Sequence, residues 1–384
     1  MADRRQTFEF RENAGLRAVI AGGGTGGHLF PGMAVAEELL SRHPSNAVLF
    51  IVSGKPFERA ALAQKHLPYR AVRVEGIKGR GRASQLKALL KIPRGTAAAF
   101  SILGSFRPAV MLAVGGYAAG PAGVAARLRC IPVALHEQNI IPGVTNRLLA
   151  LLANRVYVSF EGTVFGRRAL DVRVTGNPVR RALIDAVDRR EERRAPHDIF
   201  TVLILGGSQG AHAINQAVTA ALPVFADKKR FHFIHQTGAA DADAVAEAYR
   251  RHGVVADVRP FFTDMAAVYQ AADLVVCRAG ASTVAEITVM GKAAVFIPFP
   301  HAADNHQFYN ARSLTERRAA DWLPQNRLEG TILAQKITAY ADHPGRRARM
   351  AARAAACGRP HAATAIVDDL YQLALNRKGS DNVS

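Results

Sequence analysis

The residues Gly22-Gly-Gly-Thr25-Gly26-Gly27-His28 join a glycine-rich turn to a titratable imidazole. A short apolar run from Ala18 precedes them. Met33, Ala36, Leu39 and Leu40 follow at helical spacing, with Pro31 expected near the first helical position. A strand, a glycine turn and a helix start offer an anion both free backbone N–H groups and the positive end of a helix dipole. His28 at that mouth could exchange a proton near neutral pH. The same residues also fit a tight turn around a buried histidine. Gly22-x-Gly24-x-x-Gly27 further matches a dinucleotide loop, which wants an acid near the end of the second strand to hold a ribose. The candidate strand Ala47–Val52 runs instead into Ser53-Gly54-Lys55-Pro56, so a nicotinamide cofactor is disfavoured.

Other clusters could carry chemistry. Gly206-Gly-Ser208-Gln-Gly210 is a second turn of the same kind, with Ser208 either a phosphate contact or a helix cap. In Cys277-Arg278-Ala-Gly-Ala281-Ser282-Thr283-Val-Ala-Glu286, a buried strand gives way to a helix. The amides of Ala281, Ser282 and Thr283 could hold a diphosphate, and Glu286 could accept from ribose hydroxyls or simply favour the helix dipole. Asp304-Asn-His306-Gln307 through Asn310 offers amide and imidazole groups suited to sugar hydroxyls, or a polar loop with a cap. His136-Glu137-Gln-Asn139 and Gly115-Gly-Tyr117 follow candidate strands, and both catalytic and loop readings stand.

The elements that must position these groups alternate strand and helix, which implies an α/β fold with parallel sheets covered on both faces. Strands are expected at 17–21, 47–52, 71–74, 109–114, 131–136 and 155–159, then at 200–205, 231–235, 274–277 and 293–298. The strand, glycine turn and helix of the opening recur at 200, so the 384 residues divide into two Rossmann-like domains expected to face each other across a cleft. The expected boundaries are a disordered lead-in over 1–16, an N-terminal domain over 17–177, a C-terminal domain over 178–358 and a closing helix over 359–384. Turn residues at Gly176-Asn-Pro178 and the charge run from Asp188 to Arg194 mark the linkage.

A formal charge of +19 draws polyanions: nucleic acid, anionic lipid or phosphorylated substrates. Residues 77–94 open on Ile77 and close on Arg94; they set Leu86, Leu89 and Leu90 on one helical face amid Lys78, Arg80, Arg82, Lys87 and Lys91. That pattern fits an anionic membrane surface, with an ordinary core-facing helix as the plainer reading. No aromatic residue lies in that stretch to stack on bases, so nucleic acid is not expected as a partner. Cys130, Cys277 and Cys357 are scattered and show no metal spacing, as in a reducing cytoplasm. The lead-in lacks the apolar core of a signal peptide. Neither a metal nor a cofactor is expected.

Taken in order, Gly22 to His28, Gly115-Gly-Tyr117, His136 to Asn139, Gly176-Asn-Pro178, Gly206 to Gly210, Arg278 to Glu286 and Asp304 to Asn310 resemble the MurG family. Its members are GT-B-type N-acetylglucosaminyltransferases of bacterial peptidoglycan synthesis, and the likeness runs from about Arg17 to Leu375. The resemblance implies inverting transfer of N-acetylglucosamine (GlcNAc) from UDP-GlcNAc to the muramyl 4-hydroxyl of lipid I, giving lipid II. It implies a peripheral enzyme on the cytoplasmic face of the inner membrane, with cell-wall and division enzymes as partners. His28 and Glu137 are the expected catalytic residues. Thr25, Gly26, Gly27, His28, Asn139, Arg180, Ser208, Phe262, Ala281, Ser282, Thr283, Glu286, His306 and Gln307 should meet UDP-GlcNAc, Phe262 through its backbone. Gly22, Gly23, Gly24, Tyr117 and Asn146 should meet the acceptor, its diphosphate on the glycine loop. The alternative is a UDP-sugar transferase of the same fold acting on a diacylglycerol lipid, against which Glu137 and Asn139 beside the glycine loop speak.

Overall fold

The computed structural model describes residues 15–72, 82–166, 171–188, 199–207 and 209–381, and of 82–92, 188 and 377–381 the backbone alone. The chain forms two compact units: one holds the residues up to Arg180 and those from His361 on, and the other is Arg181–Pro360. The C-terminal helix α14 (Ala362–Asp381) is therefore part of the first unit.

Among the described residues, the first unit's sheet is wholly parallel. It contains β1 (Arg17–Gly22), β2 (Ala47–Val52), β3 (Tyr69–Ala71), β4 (Val110–Gly115), β5 (Val133–Glu137), β6 (Arg155–Val158) and β7 (Val172–Val174). The order is β3-β2-β1-β4-β5-β6-β7. The second sheet repeats this plan with β8 (Phe200–Leu205), β9 (Phe231–Gln236), β10 (Val255–Arg259), β11 (Leu274–Cys277), β12 (Ala293–Phe296) and β13 (Asp321–Trp322), ordered β10-β9-β8-β11-β12-β13. Strand order reverses between β1 and β4, and again between β8 and β11. Outside the carboxyl ends at such a reversal lies the crevice where doubly wound sheets hold ligands.

Alternation along β1 shows why its sequence is apolar throughout. Ala18 and Ile20 join a core with Leu29, Met33 and Leu39 of α1 (Gly26–Arg42) and Ile366, Val367 and Leu370 of α14. Val19 and Ala21 join the opposite core with Leu103 of α3 (Arg82–Phe106) and Ala122 and Ala126 of α4 (Ala119–Leu128). A strand covered on both faces has no polar side, and each large apolar side chain so buried contributes about 1.5–3 kcal/mol. Polar bonds also fix α14: Asp369 accepts from Tyr157 Oη at 2.8 Å and pairs with Arg155 and Arg173. In the second unit, Val202 and Ile204 of β8 pack with Ile214 and Val218 of α7 (His212–Ala221) and Leu333 and Ile337 of α12 (Gly330–Asp342).

Several expectations need correction. Leu16 is buried and its N–H donates to Asn46 Oδ1 at 2.7 Å, so the fold begins before residue 17; residues 1–14 lie outside the described set. Pro31 sits inside α1 rather than at its start, because the helix already begins at Gly26. The third strand falls at Tyr69–Ala71, earlier than 71–74. β7, β10 and β13 escape a reading based on apolar runs because they are short or half-exposed edge elements.

Candidate active site

In the first unit, the turn after β1 and the turn after β4 meet backbone to backbone. The Gly23 N–H donates to Gly115 O at 3.1 Å. A Cβ on Gly116 would stand 2.2 Å from Gly23 O, and Gly116 has φ +83°, so glycine is required on two counts. The Gly24 N–H donates to Glu58 Oε1 at 2.6 Å. Glu58 lies at the start of α2 (Pro56–Gln64), is fully buried, and also accepts from the Ser53 hydroxyl and from the Lys55 N–H at 2.8 Å.

These bonds bear on two expectations. The amides of Gly23 and Gly24, expected to cradle the acceptor diphosphate, are engaged within the unit. What remains is the start of α1, where Thr25 is the N-cap and Gly26 and Gly27 open the helix. No carboxylate ends the second strand itself, and Glu58, in the first turn of α2, is committed to the glycine turn rather than to a ribose. Pro56 at the helix start with Glu58 two residues later was the signal that would have found it.

His28 projects from the first turn of α1. Its Nδ1 lies 3.1 Å from Thr25 Oγ1. The ring packs on Gly115, where an added Cβ would meet His28 Cδ2 at 2.8 Å, Nε2 at 3.1 Å and Asn146 Nδ2 at 3.4 Å. Asn146, on α5 (Val144–Leu149), donates through Nδ2 to Glu137 Oε2 at 2.8 Å. Glu137 ends β5, is 1% exposed, and also accepts from the N–H groups of Asn139 at 2.9 Å and Gly143 at 3.1 Å. Burial pushes its pKa up, against these hydrogen bonds, which favour the ionised form. Both oxygens are thus held by the chain's own donors. Through these bonds Glu137 braces the loop after β5.

His136 lies beneath this layer. Its Nε2 bonds to Gly176 O at 3.2 Å, and its Nδ1 accepts from Gln138 Nε2 at 3.1 Å. That pairing fixes a neutral ring. Burial lowers the pKa to about 4, and the neighbouring His28 adds to the shift. Gln138 Nε2 also donates to Val114 O at 2.9 Å. Gln138 Oε1, Asn146 Oδ1 and both side-chain polar atoms of Asn177 are buried and make no hydrogen bond. Tyr117 is exposed after β4, and the Arg180 guanidinium lies 5.7 Å from the Phe30 ring centroid within this unit.

In the second unit, α10 (Ala281–Val289) begins directly after β11, with Gly280 as its N-cap. The first-turn amides of Ala281, Ser282 and Thr283 have no carbonyl one turn back to bond. Ser282 Oγ is buried and makes no hydrogen bond. One turn further, Glu286 Oε2 accepts from Tyr269 Oη at 3.0 Å. Arg278 is half-buried, donates to Ile297 O at 3.0 Å and faces the Phe299 ring. At the start of α11 (His306–Thr315), His306 Nδ1 lies 2.7 Å from Ala303 O, and Gln307 Oε1 accepts from the Phe299 N–H at 3.0 Å. The Phe262 N–H donates to Gln236 Oε1 at 3.1 Å. Ser208 lies outside the described residues. Beside it, Gly207 and Gly210 take φ +89° and +79°.

The chain matches two family models: glycosyltransferase family 28 N-terminal domain over residues 18–158 and glycosyltransferase family 28 C-terminal domain over 201–366. A Syntrophus aciditrophicus protein named UDP-N-acetylglucosamine–N-acetylmuramyl-(pentapeptide) pyrophosphoryl-undecaprenol N-acetylglucosamine transferase is 46% identical, covering 92% of this chain and 97% of its own. A protein of the same name from Anaeromyxobacter sp. (strain K) is 44% identical, covering 95% of each. The crystal structure of Acinetobacter baumannii MurG superposes with a TM-score of 0.75 at 32% identity, covering 93% of this chain and 99% of that one.

Proposed function

The chain belongs to the MurG family of glycosyltransferases, and from that premise we propose how its residues share the reaction. It transfers N-acetylglucosamine from UDP-GlcNAc to lipid I, the undecaprenyl-diphosphate-linked muramyl pentapeptide, giving lipid II. The second unit takes the donor. The amides of Ala281, Ser282 and Thr283, with Ser282 Oγ and Ser208, hold its diphosphate. Glu286, steadied by Tyr269, accepts from the ribose. Phe262 meets the uracil, and Arg180, His306 and Gln307 complete the donor set. As UDP leaves, charge grows on the diphosphate, and the N-terminus of α10, equivalent to roughly half a positive charge, opposes it.

The first unit takes the acceptor. We assign the His28 proton to Nδ1, 3.1 Å from Thr25 Oγ1; Nε2 is then the basic nitrogen and can draw the proton from the muramyl 4-hydroxyl as that oxygen attacks the anomeric carbon from the face opposite UDP. A positioned base is worth about 10²–10⁴-fold. Gly115 gives the ring room, while Asn146 and Glu137 fix the wall beside it. Asn146 Oδ1 and Gln138 Oε1 offer acceptors to sugar hydroxyls. Gly26 and Gly27 line the approach, with Asn139 and Tyr117 at its edge.

No helix among the described residues is long and apolar enough to cross a membrane. We place the enzyme at the cytoplasmic face of the inner membrane, held by apolar and basic side chains of the first unit. Most of the expected 77–94 patch lies outside the described residues or has only its backbone described. Support comes from the neighbouring surface: Leu128 is 66% exposed, Phe100 is exposed, and Arg129 stacks 3.7 Å over the Phe100 ring.

One pairing carries the reading: an imidazole at the strand reversal of one sheet, and an amide row with a carboxylate one turn on at the reversal of the other. The test is transfer of labelled GlcNAc to a lipid I analogue, with a diacylglycerol as competitor. A disaccharide on the diphosphate lipid is expected; sugar appearing on the diacylglycerol would favour the alternative.

A further inference from the structure

We propose that Lys55 is a ligand of the acceptor's diphosphate, standing in for the backbone amides that the glycine turn keeps for itself. This rests on the reading that the first unit binds lipid I. The Gly23 and Gly24 N–H groups, which a free glycine nest would turn to phosphate, donate instead to Gly115 O and Glu58 Oε1. Glu58 sets a buried carboxylate directly behind the turn, held there by the Gly24 N–H, the Ser53 hydroxyl and the Lys55 N–H. A diphosphate at the start of α1 therefore meets a like charge across one peptide layer. Against it the helix end supplies only about half a unit of positive charge.

The compensating cation stands on the same turn. Lys55 Nζ donates to Gly24 O at 3.1 Å, the carbonyl immediately before the α1 N-cap. Its own backbone N–H is held by Glu58 Oε2, and Pro56 follows as the first residue of α2. The stem is thus rooted in a braced segment while the ammonium stays at the surface. An ammonium has three donors, so one can rest on Gly24 and two can reach phosphate oxygens. One residue, Glu58, thereby closes the turn to phosphate and anchors the lysine that replaces its amides.

The experiment compares wild type with Lys55→Met and Lys55→Arg, using UDP-GlcNAc and a water-soluble lipid I analogue that retains the diphosphate. Losing a charge-assisted hydrogen bond should raise the acceptor KM about tenfold or more in Lys55→Met. The donor KM should hold, and Lys55→Arg should recover most of the loss. The acceptor KM should also rise with ionic strength less steeply in Lys55→Met than in wild type. An unchanged acceptor KM overturns the proposal, as does a rise confined to the donor KM. Wild-type enzyme that fails to glycosylate the analogue would instead sink the acceptor reading on which the proposal stands.

Discussion

Replacing Gly115 by alanine asks whether the His28 ring is held where the reaction needs it. The added carbon would stand 2.8 Å from His28 Cδ2 and 3.1 Å from Nε2. Carbon atoms in contact prefer about 3.5–4.0 Å, so the ring must withdraw by roughly 0.7–1.2 Å. Misplacing a reacting group by about 1 Å can cost on the order of a hundredfold in rate. Gly115 also has φ +89°, so the substitution strains the backbone as well. That strain can be isolated, because Gly162 in the same unit has φ +84° and nothing within 4 Å of an added carbon. Both Gly115→Ala and Gly162→Ala should lose about 1–2 kcal/mol in denaturant unfolding. Only Gly115→Ala should lose about a hundredfold in kcat, with the UDP-GlcNAc KM held. Steady-state kinetics on the lipid I analogue decides the matter. Wild-type turnover in Gly115→Ala, or equal losses in the two variants, would refute the placement of His28.

Other substitutions reach different parts of the account. His28→Gln should lower kcat by about 10²–10⁴-fold and leave UDP-GlcNAc binding, measured by calorimetry, intact. Glu286→Gln should raise the donor KM about tenfold and Tyr269→Phe by less, since the tyrosine only holds the carboxylate; steady-state kinetics would show the order. Burial holds His136 near 4 against an ordinary 6.5, so the unfolded chain takes up its proton first. The resulting stability, on the order of 3 kcal/mol, is complete above pH 6.5 and is lost as pH falls toward 4. Unfolding measured across that window should flatten in His136→Gln.

Much of the frame could be read from residue order. Apolar runs located β2, β8 and β11 at their observed bounds because strands covered on both faces carry no polar alternation. Edge strands defeated the same signal: the burial of β10 is partial at best and its sequence reads VADVR. The glycine turns and their flanking helices were also legible, since no other residue tolerates the approach of Gly116 to Gly23. Hydrogen-bond partners were not. Whether the Gly24 N–H faces a phosphate or Glu58 depends on where α2 lands, and spacing does not encode that distance. The same holds for Glu137: its position at a strand end suggested chemistry, but no spacing foretold the four donors that converge on it from Asn139, Gly143 and Asn146.

The most direct test of the division of labour is a crystal of the enzyme with UDP-GlcNAc. The nucleotide should sit in the second unit, its ribose on Glu286 and its diphosphate at the amides of Ala281, Ser282 and Thr283. Uridine lodged instead on the turn from Gly22 to Gly27 would contradict the assignment of donor and acceptor to the two units.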